Sequence, residues 1–133
     1  YRCVIPKNKN EIFLSADIVL IKSSVEKVKD IIKTLMIKRI TSQPLEKLSF
    51  GSTFKNTNKF SAAKLIESCN LKGHTIGGAQ VSNKHANFVI NANGDASSKE
   101  INDLIDHITS TVLNKTGVSL EREVRNLGDG FEF

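Results

Sequence analysis

Between Glu11 and Ile21 apolar residues fall on every second position. Ile12, Leu14, Ala16, Ile18 and Leu20 share one side, with Ser15, Asp17, Glu11 and Phe13 on the other. A period of two over this length predicts a half-buried strand. The period then changes. Ser23, with Glu26 three residues on, has the form of a capping box, and Val25, Val28, Ile31, Ile32, Leu35 and Met36 come next at helical spacing. An amphipathic helix is predicted to end near Lys38, with Pro44 closing off any extension.

From Gln43 to Asn58 neither period holds, and a loop carrying Gly51 is expected. A short helix is predicted over 61–69, with Ala62, Leu65, Ile66 and Cys69 inward. Gly73 punctuates the chain after that helix, and Gly77-Gly78 marks a tight turn or a close backbone approach. Ala86 to Ile90 is a strand candidate. A second capping box, Ser97 with Glu100, opens the best-defined helix, whose inward stripe is Ile101, Leu104, Ile105, Ile108 and Val112. Lys115 in its last turn and Gly117 after it are stop signals. Val118 to Val124 then reads as a strand. Strands and helices interleave without a repeated βαβ unit, which favours an α+β fold.

Composition narrows the function classes. A chain of 133 residues with 39% apolar and 25% charged residues is an ordinary domain able to bury a core. No apolar run approaches the roughly 18 residues of a membrane span, so no membrane partner is expected. The chain opens on Tyr1-Arg2-Cys3-Val4 without an initiator Met or a signal-peptide pattern, and is expected to be a piece of a longer protein. A net charge of +5 invites a nucleic-acid reading, but the basic residues are dispersed among acids, with one Tyr and no Trp to stack on bases. Solvated lysines, or a small anionic ligand, account for the charge without nucleic acid. Cys3 and Cys69 form no CxxC pattern and are expected to be reduced thiols. His74 and His85 lack partners at ligand spacing, so no metal site is expected.

Two segments carry candidate chemistry. Ser52, in Gly51-Ser52-Thr53, is a hydroxyl in a glycine-hinged turn; with no Gly-x-Ser-x-Gly elbow it suits proton donation rather than nucleophilic attack, or is simply a turn residue. Glu123 lies between Arg122 and Arg125, and either projects into a cleft or is spent in a surface ion pair. The Gly77-Gly78 pair lacks the G-x-G-x-x-G frame of a dinucleotide fingerprint. The residues by themselves reach a soluble α+β domain of unassigned ligand.

The longer string is more specific. Gln43-Pro44-Leu45-Glu46, Gly51-Ser52-Thr53-Phe54-Lys55-Asn56, Ala63-Lys64-Leu65-Ile66-Glu67 and Leu71-Lys72-Gly73 come first. Ile76 to Ser82, Lys84-His85-Ala86-Asn87-Phe88 and Leu120 to Arg125 complete the series. In order and spacing these blocks resemble the UDP-N-acetylenolpyruvoylglucosamine reductase (MurB) family, from Tyr1 to about Gly128. The resemblance implies a cytoplasmic flavoenzyme of peptidoglycan synthesis, and so of cell-wall biogenesis, cell shape and division. NADPH reduces FAD, and the reduced flavin passes hydride to the enolpyruvyl double bond of UDP-N-acetylglucosamine enolpyruvate, giving UDP-N-acetylmuramate. The same resemblance implies that Ser52 is the proton donor, while Glu123 and Arg2 polarise the substrate carboxylate. Substrate contacts map to Asn56, His85 and Arg39, the last suited to a diphosphate.

Two departures stand out: Val4 where the family has Ser, and Thr57 where it has Pro, the latter expected to loosen a turn. The implied division gives residues 1–42 to the tail of an FAD-binding domain, with its last strand and helix. Residues 43–133 form the substrate-binding domain with a returning catalytic strand. Most FAD contacts are expected upstream of Tyr1, so this piece by itself is expected not to turn over. The alternative is a non-catalytic remnant that binds the UDP-sugar without chemistry.

Overall fold

The computed structural model describes residues 8, 10, 12–57 and 59–125. Three helices and four short strands are arranged in the order α1 (Val25–Ser42), β1 (Leu48–Ser49), α2 (Ala62–Ser68), β2 (Thr75–Ile76), β3 (Ala79–Val81), β4 (Val89–Asn91) and α3 (Ser98–Thr116). All strand pairs are antiparallel and the sheet order is β1-β4-β3-β2. α3 packs across β2 and β3, and α2 packs on α3. This is the expected α+β class.

The core lies between the sheet and α3. Leu104, Ile105, Ile108 and Val112, four of the five residues in the anticipated stripe, are buried against Ala79, Val81, Val89, Ile66 and Phe54. Each such aliphatic side chain contributes about 1.5–3 kcal/mol by leaving water. The ends of α3 are set locally. The Ser97 hydroxyl accepts from the Glu100 N–H at 3.2 Å, and the Glu100 carboxylate accepts from the Ser97 N–H at 2.8 Å. At the other end Gly117 sits at φ 70°, where a side chain would be strained.

Gly77-Gly78 joins β2 to β3 in a two-residue turn, so both readings of that pair hold. Gly77 lies at φ 55°, and a Cβ on Gly78 would fall 2.7 Å from the Ala96 backbone nitrogen. The strands β1, β2 and β3 arise in stretches whose sequence showed no strand period. Each is two or three residues long, too short for a period to register. The Ala86–Ile90 candidate starts later than anticipated, at Val89, because Asn87 is taken up in a turn closed by Phe88 N–H to His85 O at 3.0 Å.

The N-terminal expectations need correction. The predicted strand over 11–21 is not formed: residues 12–21 have no regular secondary structure, and Leu14 and Leu20 are 92% and 82% exposed. A strand needs a neighbour to receive its N–H and C=O groups, and none of the described residues provides one. The helix is capped by Ser24 rather than Ser23, and runs to Ser42 rather than Lys38. No residue of α1 is buried, although Val28, Ile31, Ile32, Leu35 and Met36 keep the apolar spacing. Its C-terminal end is held by Lys84, whose Nζ donates to Ile40 O at 3.1 Å and pairs with Glu46 at 3.3 Å.

The Val118–Val124 segment is extended but pairs only briefly, through a bridge between Phe54 and Arg122. Lys55 N–H donates to Glu121 O and Glu123 N–H to Thr53 O, both at 2.9 Å. Among the described residues only the short ribbon 53–55 pairs with it, which limits the ladder.

Candidate active site

The ribbon 53–55 is the spine of the site. One edge pairs with 121–123 as above. On the other, Thr53 N–H donates to Asn87 O at 2.8 Å, and the Asn87 side chain accepts from Phe54 N–H at 3.0 Å while donating to Phe54 O at 2.8 Å. The buried Thr53 hydroxyl accepts from Val89 N–H at 3.3 Å. Immediately before this ribbon, Gly51 takes φ 86° with open space where a Cβ would stand. The glycine is therefore required for its backbone angle alone, and Ser52 projects between a left-handed hinge and a pinned strand.

Ser52 and Glu123 line one cavity of about 1160 Å³. Asn56 and Arg39 share it, with Lys47, Arg125 and the aromatic rings of Phe50 and Phe88. A cavity with cations, one carboxylate, hydroxyls, amides and two rings suits a large anionic ligand with a planar part. Glu123 is not consumed by Arg122. That guanidinium is turned to α3, where it pairs with Asp106 and donates to Asn102 Oδ1 at 3.2 Å. Alternation along the extended segment sends the two side chains opposite ways, and the surface-pair reading of Glu123 with Arg122 does not hold. Arg125 is on the same cavity lining as Glu123.

Asn56 has a second duty. Ser61, at the cap of α2, makes no side-chain bond there; Asn56 Oδ1 accepts the Ala62 N–H instead, at 2.9 Å. This commits the amide oxygen and leaves the NH₂ as the group available to a ligand acceptor. Arg39 Nε donates to Gln43 Oε1 at 3.2 Å, which anchors the side chain and leaves the terminal nitrogens of its fork for other acceptors. Thr57 does not loosen its turn: its N–H donates to Phe60 O and its hydroxyl accepts from Phe60 N–H, both at 3.0 Å. A proline could make neither bond.

His85 is not brought to the cavity lining. Its ring meets Phe88, which lines the cavity, edge-on at 4.8 Å between centroids. Half-buried, it is held below its usual pKa chiefly by desolvation, with a smaller push from Lys72. Its Nδ1 accepts the Asn87 N–H at 3.2 Å, which suits the neutral ring. Arg2 and Val4 lie outside the described residues. Sequence reasoning assigned no role to Thr53, Lys47, Phe88 or Asn87. For Asn87 a signal was present: one amide in the otherwise apolar run Ala86 to Ile90.

Residues 43–127 match the family model described as UDP-N-acetylenolpyruvoylglucosamine reductase, C-terminal domain. A UDP-N-acetylenolpyruvoylglucosamine reductase of Clostridioides difficile is 46% identical over 97% of the chain. The chain belongs to this reductase family. The enzyme of the same name from Oceanobacillus iheyensis is 44% identical over the same share. Among solved structures, the reductase of Thermus caldophilus superposes with a TM-score of 0.60 at 32% identity, over 74% of this chain and 34% of that one. The chain spans 42% of the length of the first two relatives.

Proposed function

We propose that this chain is the substrate-binding part of a reductase that converts UDP-N-acetylglucosamine enolpyruvate to UDP-N-acetylmuramate in peptidoglycan synthesis. The observation that carries the reading is that Ser52, Asn56, Arg39 and Glu123, distant in sequence, line a single cavity. Adding hydride to one carbon of the enol ether builds enolate-like charge at the neighbouring carbon and its carboxylate. That carbon must then take a proton. Ser52 Oγ supplies the proton. Glu123 is the acid beside the developing charge, with Arg2 as its proposed partner. Arg39 and Lys47 suit the diphosphate, and Asn56 gives its NH₂ to an acceptor on the ligand.

FAD and NADPH are the proposed redox groups, and the glycine pair at 77–78 does not fit as a cradle for their pyrophosphate. The glycine pair at 77–78 faces carboxylates: Glu100 packs on Gly77, and Asp95 Oδ1 would be 2.6 Å from a Cβ on Gly78. A pyrophosphate would be repelled there. The flavin is therefore assigned to a portion preceding residue 43, with residues 1–42 as its tail. The absence of any buried residue in α1 supports this division, as does a family match beginning at residue 43. A cytoplasmic setting belongs to the same proposal, since nucleotide-activated sugars and NADPH are cytoplasmic reagents.

Titrating the chain with the enolpyruvyl UDP-sugar by calorimetry tests the site without any redox chemistry. Micromolar binding that weakens on Arg39→Ala is expected; no binding would remove the assignment. Reduction of the sugar by the intact protein then separates an enzyme from a remnant that only binds.

A further inference from the structure

We propose that Asn87 is a positioning residue for the reaction: its side-chain amide stands in for a missing strand and fixes the ribbon from which Ser52 projects. This rests on the proton-donor role proposed for Ser52. Asn87 is 2% exposed, lies in a turn, and contributes three bonds to two consecutive residues, Thr53 and Phe54. The ribbon needs a donor and an acceptor on that edge, at peptide spacing. Because residues 86 and 87 are turned, their backbone offers the ribbon only the Asn87 carbonyl, taken by Thr53 N–H, and the side-chain amide supplies both partners of Phe54. Asp lacks the donor, Leu lacks both, and Gln carries the amide one methylene too far.

The placement acts on Ser52 in particular. On its N-terminal side Gly51 sits at φ 86°, with open space where a Cβ would stand. On its C-terminal side the first fixed points are the Thr53 N–H and the two backbone groups of Phe54, all held by Asn87. Thr53 is held twice more, at its O by the Glu123 N–H and at its hydroxyl by the Val89 N–H. Of these five bonds that fix the chain after Ser52, Asn87 makes three, two of them through its side chain. Asn87 is also anchored by its own neighbours: its N–H goes to His85 Nδ1, so the turn that aims the amide is itself tied down.

The test combines exchange and kinetics. In the isolated chain, Asn87→Ser should speed amide hydrogen exchange of Phe54, whose N–H is held by the side chain, while the amides of α3 keep their protection. In the intact reductase the same variant should slow reduction of the enolpyruvyl sugar by about tenfold or more. Sugar affinity should stay within about threefold, and flavin reduction by NADPH should be unchanged. Combined with Ser52→Ala, it should cost nothing further, since a donor that is gone cannot be misaimed. Full additivity of the two changes, or affinity and rate falling together, overturns the proposal. Should Asn87→Ser not fold, Asn87→Asp, which keeps the acceptor, takes its place; if neither folds, the side chain holds the domain rather than the hinge and the proposal fails. A wild-type chain that shows no sugar binding while the exchange result stands would remove the functional reading alone.

Discussion

The Glu123 backbone N–H donates to the Thr53 carbonyl at 2.9 Å, so the main chain of the acid is one hydrogen bond away from the residue after Ser52. Seventy residues of chain separate the two, yet they share a ribbon, and Ser52 and Glu123 line the same cavity.

That adjacency gives a kinetic expectation. In the intact reductase Ser52→Ala and Glu123→Gln should each slow sugar reduction by about 10²–10⁴-fold, the range for a placed proton donor. Both should leave the NADPH-driven half-reaction nearly untouched. Stopped-flow traces of the two halves check this, and equal damage to both would deny the roles.

The cap of α3 makes a stability prediction. Ser97→Ala should cost about 1 kcal/mol in urea unfolding. The Glu100 carboxyl is held below its usual 4.5, first by the Ser97 backbone N–H and then by the Ser97 side chain. An acid depressed in the fold stabilises above its unfolded value, and that contribution disappears as pH falls through the lower folded one. Denaturation midpoints measured downward from pH 4.5 should therefore drop, and Glu100→Gln should flatten the drop.

His85 works with the opposite charge type and the same direction of pH. Its folded pKa lies below the usual 6.5, so the neutral ring is favoured by folding. That contribution is complete above the unfolded value and is lost as pH falls through the folded one. Protonation also ends the acceptance of the Asn87 N–H at Nδ1. Between about pH 7.5 and 5 the wild type should lose more stability than His85→Gln, measured by the difference in urea midpoints.

Gly78→Ala tests the packing of the hairpin. A Cβ there meets the Ala96 backbone at 2.7–2.8 Å, and backbone cannot move aside as a side-chain tip can. A loss of about 1–3 kcal/mol is expected in thermal or chemical unfolding. An unchanged midpoint would mean that the turn and the start of α3 are not in register as described.

The open side of α1 is tested by charge. Ile32 and Leu35, 55% and 59% exposed, are not buried against residues 43–125. Ile32→Lys with Leu35→Lys should leave the unfolding midpoint of the sheet and α3 in place while reducing binding of an apolar dye. A large destabilisation would show that the helix contributes to the core after all.

What could be read from the residues depended on range. α3 was legible end to end because its box, stripe and glycine stop all lie within one segment. The strand at 11–21 was misread because alternation shows only that a segment suits a sheet; whether a neighbour exists is a tertiary fact. β1 to β3 offer two or three residues apiece, and their pairing is decided by Gly77-Gly78 and by the burial of Ala79 and Val81. At the site, the resemblance points to Ser52, Asn56, Arg39 and Glu123, which share one cavity lining, and to His85, which packs edge-on against Phe88 of that lining. Asn87 stayed silent because its value lies in where Phe54, thirty-three positions earlier, happens to run.

The single bridge between Phe54 and Arg122 works as a parity lock. Neighbours along an extended stretch face opposite ways, so a one-residue gain between Gly117 and Leu120 that shifts the ribbon's register would bring Arg122 to the place of Glu123 and Glu121 to the place of Arg122. A guanidinium would then enter the cavity, and a carboxylate would be pressed toward Asp106.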